Sequence, residues 1–192
     1  AYEYRKKIGV QLAEETDIEA DFVVPVPDSG VPAALGYAEK SEKRFELGLI
    51  RNHYVGRTFI EPTQNIRSLG VKLKLSSTKT IVKNKSIILI DDSLVRGTTC
   101  KKIVQMLYES GAKEVHVRIA CPEIKYPDFY GVDMPTKEEL LAHKKNNQEM
   151  CDHIKAKSLK FLSLNGLYKA LIGEARNSNY PQFSDHYFTG EY

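Results

Sequence analysis

The chain has 192 residues, 42% hydrophobic and 28% charged, with a net charge of +3, which is the profile of one globular domain able to bury a sizeable core. Its 28 basic residues are balanced by 25 acidic ones, so composition gives no reason to expect nucleic-acid binding, and no apolar run approaches the roughly 20 residues of a membrane span. No signal peptide is visible, and the three cysteines (Cys100, Cys121 and Cys151) have no metal-ligand spacing, so free thiols in a reducing cytoplasm are expected.

Residues 2–15 read as a helix already under way at Ala1, which suggests a domain before it. Phe22 to Val26 is a short apolar strand, Pro27-Asp28-Ser29-Gly30 a turn, and Val31 to Glu39 a helix with Pro32 in its first turn. Leu47 to Asn52 suits a second strand. Residues 53–71 are a long polar segment without periodicity, expected to be a functional loop. Val71 to Leu75 alternates as a strand, and Ser86 to Ile90 is the central, fully apolar one.

Thr98 to Ser110 is a helix stopped at Gly111, followed by a strand over Glu114 to Ala120. A helix is expected over Lys137 to His143 with Thr136 as its N-cap, then a strand over Leu159 to Leu162 and a helix over Gly166 to Ala175. The tail from Asn177 is read as irregular, its aromatic residues packing or forming an interface. Strands alternating with helices define an α/β protein with a parallel sheet flanked by helices.

The chemistry concentrates in residues 87–99, Ile-Ile-Leu-Ile-Asp-Asp-Ser-Leu-Val-Arg-Gly-Thr-Thr. Asp91 and Asp92 fall where the central strand ends, the edge at which open parallel sheets bind ligands. Paired carboxylates suit sugar hydroxyls and Mg²⁺. From Val95 to Thr99 the chain offers N–H groups at a helix N-terminus, a phosphate cradle that Gly97 allows to turn tightly. The Gly-Lys-Ser/Thr ending of a P-loop is missing. A solvated acidic pair before an ordinary helix, or a receiver domain, would share the strand and the acids but not the Arg-Gly-Thr-Thr.

The motif resembles the phosphoribosyl pyrophosphate (PRPP) signature of type I phosphoribosyltransferases. Other segments resemble the amidophosphoribosyltransferase family: Val24 to Gly30, Asn52 to Ile60, Lys72 to Leu75, Asp128 to Pro135, Phe161 to Leu167 and Phe188 to Tyr192. This resemblance spans nearly the whole chain. It implies a type I phosphoribosyltransferase fold over 1–192, with a small hood, a flexible loop at about 53–71 and a C-terminal hood or tail at about 158–192.

The family opens purine synthesis by replacing the pyrophosphate of PRPP with an amine from glutamine. Its complete proteins carry an N-terminal glutaminase domain that begins with a catalytic Cys. This chain begins with Ala1, so ammonia-dependent chemistry without a glutaminase is expected. Carried over residue by residue, the resemblance makes Asp91, Asp92, Arg57 and Lys74 catalytic. It gives substrate contacts to Asp28, Ser29, Gly30, Tyr54, Ile60, Ser93, Val95, Arg96, Gly97, Thr98 and Thr99. One Mg²⁺ per site would sit by Ser29, Asp91 and Asp92.

No iron–sulfur cluster is expected, because Asp128, Ser184 and Tyr187 stand where some members have cysteines. Purine nucleotides as feedback inhibitors and a homo-oligomer are expected partners. A PRPP-sensing regulator would need a DNA-binding helix pair, which is not found. The Asn52 to Phe59 stretch and the tail weigh against a salvage enzyme acting on a free base.

Overall fold

The computed structural model describes residues 1–52, 75–128, 136–180 and 182–191. Five parallel strands form the main sheet in the order β2-β1-β5-β6-β7: β1 (Phe22–Pro25), β2 (Arg44–Phe45), β5 (Ser86–Asp91), β6 (Glu114–Ile119) and β7 (Ser158–Phe161). Every residue of β1 and β5 is buried. Their unbroken apolar runs are explained by the helices that cover both faces.

One face carries α1 (Tyr2–Thr16) and α2 (Val31–Ser41), packed over Val23, Ile88 and Ile90. These two helices cross closely, since a Cβ on Gly9 would lie 1.9 Å from the Ala33 carbonyl oxygen and one on Gly36 2.0 Å from that of Lys6. The other face buries Ile87, Leu89, Val115 and Val117 beneath α4 (Thr98–Glu109) and α6 (Asn147–Ile154). The short α3 (Lys79–Val82) precedes β5, and Val82 is fully buried against the same core. A separate antiparallel pair, β3 (Leu49–Arg51) with β4 (Leu75–Ser77), is closed at one end by the partners Arg51 and Leu75.

Most expected elements that fall on described residues are present, some with altered bounds. The expected strand over Leu47 to Asn52 shortens to β3, and β2 stands before it. Of the strand expected over Val71 to Leu75, residues 71–74 lie outside the described residues, and β4 begins at Leu75. The helix expected over Lys137 to His143 is split at Leu140 into a 3₁₀ turn (Lys137–Glu139) and α5 (Leu141–Lys144), with Leu140 extended. The cause is packing: Leu140 is fully buried, Leu141 N–H donates to the Val95 carbonyl, and Thr136 makes no side-chain cap. Finally, α7 spans Leu164–Ile172, capped by Ser163 and stopped by Gly173, and a short α8 (His186–Thr189) interrupts the tail read as irregular.

Candidate functional site

The carboxyl edge of β1 and β5 gathers the predicted residues. In the register of these strands Pro25 lies opposite Ile90, and the Val26 N–H donates to the Ile90 carbonyl at 2.8 Å. The turn after β1 is thereby fixed one residue away from the acidic pair. Gly30 seals this junction, because a Cβ there would meet the Ile90 oxygen at 2.6 Å and the Val26 oxygen at 2.8 Å. Within the turn, Gly30 N–H donates to Val26 and Val31 N–H to Asp28.

The two acids have different environments. Asp91 ends β5 and is buried, while Asp92 is half-buried. Asp91 accepts a hydrogen bond from the Asp92 N–H at 2.9 Å, and the Ser93 hydroxyl donates to Asp92 Oδ1 at 3.3 Å. Burial pushes the Asp91 carboxyl up to about 7, and the charge of Asp92 adds to the shift. A buried carboxylate beside a second one is costly to ionise without a cation, which suits a divalent ion held with help from substrate oxygens. Among the described residues no group of three or more His, Cys, Asp or Glu could hold a metal by itself.

Nearby thiols are poor nucleophiles. Burial raises the pKa of Cys100 and pushes the Cys121 thiol up to about 12, with both carboxylates opposing ionisation of Cys121.

Gly97 caps α4 with φ of 75° in the left-handed region, so that residues 95–99 wrap the helix start. Thr98 is half-buried, and Arg96 and Thr99 are exposed. Arg96 pairs with Glu139 at 3.1 Å, and Leu141 closes on Gly97 from behind. His153 and Ile154 of α6 also border Gly97. The sequence reading missed this helical support. The Asn146 to Glu149 spacing signals it, since the two residues form a reciprocal capping box at the start of α6.

The structure therefore brings together Asp28, Ser29, Gly30, Asp91, Asp92, Ser93, Val95, Arg96, Gly97, Thr98 and Thr99 along one edge. Arg57, Lys74, Tyr54 and Ile60 lie outside the described residues, as do His53 and the 53–71 loop. The Asp128 side chain is fully buried and bonds His186 at 2.8 Å, while the Tyr187 carbonyl accepts from the Lys125 and Tyr126 N–H groups.

This arrangement of parallel sheet, acidic pair at a strand end and glycine-led helix N-terminus is that of a phosphoribosyl-transfer fold. The chain belongs to the phosphoribosyl transferase domain family, whose model matches residues 6–153. Among curated relatives it is similar to the amidophosphoribosyltransferase of Rhizobium etli, with 59% identity over the whole chain and 39% of the relative. A chloroplastic amidophosphoribosyltransferase of Glycine max is 53% identical over 97% of the chain and 33% of the relative. The chain thus spans about two fifths or less of the length of these proteins. Among solved structures, a B. subtilis glutamine PRPP amidotransferase complexed with ADP and GMP superposes with a TM-score of 0.87 at 48% identity, covering all of this chain and 42% of that one.

Proposed function

We propose that this chain is the phosphoribosyl-transferring part of an amidophosphoribosyltransferase, converting PRPP and ammonia to 5-phosphoribosylamine and pyrophosphate. The observation that carries this reading is the hydrogen-bonded junction between the Asp28-Ser29-Gly30 turn and the end of β5 beside Asp91. It brings together the turn that we assign to one phosphate group and the acids that we assign to the ribose. The Gly97 cradle, also following β5, suits a second phosphate. The identity with amidophosphoribosyltransferases over the whole chain supports ammonia, rather than a free base, as the nucleophile.

In this mechanism Asp91 and Asp92 accept hydrogen bonds from the ribose hydroxyls and stabilise positive charge as the anomeric carbon loses its leaving group. N–H groups and hydroxyls from Val95 to Thr99 hold the 5′-phosphate, with Ser93 alongside. The turn and the Ser29 hydroxyl hold the pyrophosphate. Mg²⁺, held by Ser29, Asp91 and Asp92 with substrate oxygens, would supply charge neutralisation for the leaving pyrophosphate. Arg57 and Lys74 are proposed contacts to that group, with Tyr54 and Ile60 lining the closed site and the 53–71 loop excluding water. Purine nucleotides, as in the B. subtilis complex, would compete for the same phosphate cradle.

A cytoplasmic location, a homo-oligomer and a supply of ammonia from a glutaminase domain complete the proposal; no iron–sulfur cluster is part of it. The reading is tested by incubating the chain with PRPP, Mg²⁺ and ammonium at alkaline pH and following pyrophosphate. Release that requires ammonium supports it. Failure of PRPP to bind in calorimetry contradicts it.

A further inference from the structure

The cation set against the Asp28 turn belongs to β3 and was not among the expected site residues. Arg51 Nη1 donates to Asp28 Oδ2 at 2.5 Å, with the two side chains 38% and 57% exposed. Arg51 is also the residue at which β3 pairs with the first residue of β4. The ion pair therefore ties the small antiparallel sheet to the main one at the binding edge.

The position of Asp28 makes this pairing consequential. An aspartate in a tight turn ordinarily folds its carboxylate back onto nearby backbone N–H groups. Here those N–H groups are wanted for an anion. Gly30 and Val31 N–H are already engaged inside the turn, and Asp28 and Ser29 carry the donors that remain. The one hydrogen bond of the Asp28 carboxylate among the described residues goes to Arg51 and none to the turn. An arriving polyanion would also meet three carboxylates at this edge, those of Asp28, Asp91 and Asp92.

We propose that Arg51 is a positioning residue for the pyrophosphate end of the donor, holding the Asp28 carboxylate off the turn and offsetting its charge. This inference rests on the reading of the site as a PRPP site. Arg51 acts through Asp28 and has no part in the ribose or 5′-phosphate contacts. Because the ion pair is a single contact rather than a two-pronged one, a lysine should serve nearly as well.

The test is a double-mutant cycle read by calorimetry on the whole 192-residue chain with two probes, PRPP with Mg²⁺ and ribose 5-phosphate, which lacks the pyrophosphate. Arg51→Ala should weaken PRPP about tenfold, a loss typical of one charge-assisted contact, and leave ribose 5-phosphate within about twofold. Arg51→Lys should recover most of the PRPP affinity. In an Asp28→Ala background, Arg51→Ala should have almost no further effect. Unchanged PRPP affinity in Arg51→Ala overturns the proposal. So does an equal loss for both ligands, or an undiminished loss in the Asp28→Ala background. A parent chain that binds neither ligand overturns the PRPP reading itself, and this inference with it.

Discussion

Asp91 and Asp92, the two acids proposed to hold the ribose, differ in burial. Asp91 is buried at the end of β5 and Asp92 stands half-buried beside it. Replacing both by Asn keeps their shape and removes the charge, so turnover should fall at least about a hundredfold while the unfolding midpoint stays near that of the parent. Gly97 should be sensitive for a different reason. Gly97→Ala would place a Cβ 2.7 Å from Leu141 Cδ2 on a backbone with φ of 75°. A stability loss of about 1–2 kcal/mol in urea unfolding is expected from the left-handed backbone. Weaker ribose 5-phosphate binding should accompany it.

Far from this edge, His116 is buried, with Nδ1 against the Ser158 hydroxyl and Nε2 3.5 Å from the Glu114 carboxylate, which favours the charged ring but does not outweigh burial. Burial, and then the charge of Arg118, holds its pKa below the ordinary histidine value. The unfolded chain therefore takes up a proton that the folded chain resists. This stabilising contribution is present at neutral pH and is lost as pH falls below about 6.5. Urea midpoints measured from pH 7.5 down to 5.5 should fall more steeply for the parent than for His116→Gln, where parallel curves would contradict the assignment.

Among the elements, α6 reaches Gly97 from a distant part of the chain. Its capping box joins Asn146 and Glu149, and His153 and Ile154 at its far end border Gly97. Asn146→Ala should cost about 1 kcal/mol of stability. If α6 supports the cradle, the same change should weaken ribose 5-phosphate modestly, and unchanged affinity would show that the cap serves the fold alone.

The elements also show what was legible in advance. Strands β1, β5 and β6 and helices α1, α2 and α4 were read to within a residue or two, because apolar runs, Pro32 and Gly111 mark them. Elements of two to four residues, such as β2 and α3, carry too short a pattern to register. The segment from 137 to 144 shows a helical composition overruled by burial of Leu140 and by the bond from Leu141 to Val95. The acidic pair and the Gly97 cradle were readable because they are contiguous. Arg51 was not, since only the fold brings it to Asp28 across 23 positions of sequence.

At the scale of the molecule, the site is assembled from two adjacent strands whose carboxyl ends are joined by the Val26 to Ile90 hydrogen bond. Two helices on each face cover these strands. The tail is tied down separately: Arg176 bonds Asp185, which also accepts from Tyr168 at 2.7 Å, with Arg176 and Asp185 side chains 9% and 5% exposed. The central claim is that this frame delivers the anomeric carbon of PRPP to ammonia rather than to water. The direct measurement is a product analysis by ³¹P NMR of PRPP consumed by the chain with Mg²⁺ and ammonium. 5-Phosphoribosylamine should form in step with pyrophosphate, and both should be lost in the Asp91→Asn, Asp92→Asn variant. Pyrophosphate accompanied only by ribose 5-phosphate, at a rate indifferent to ammonium, would contradict it.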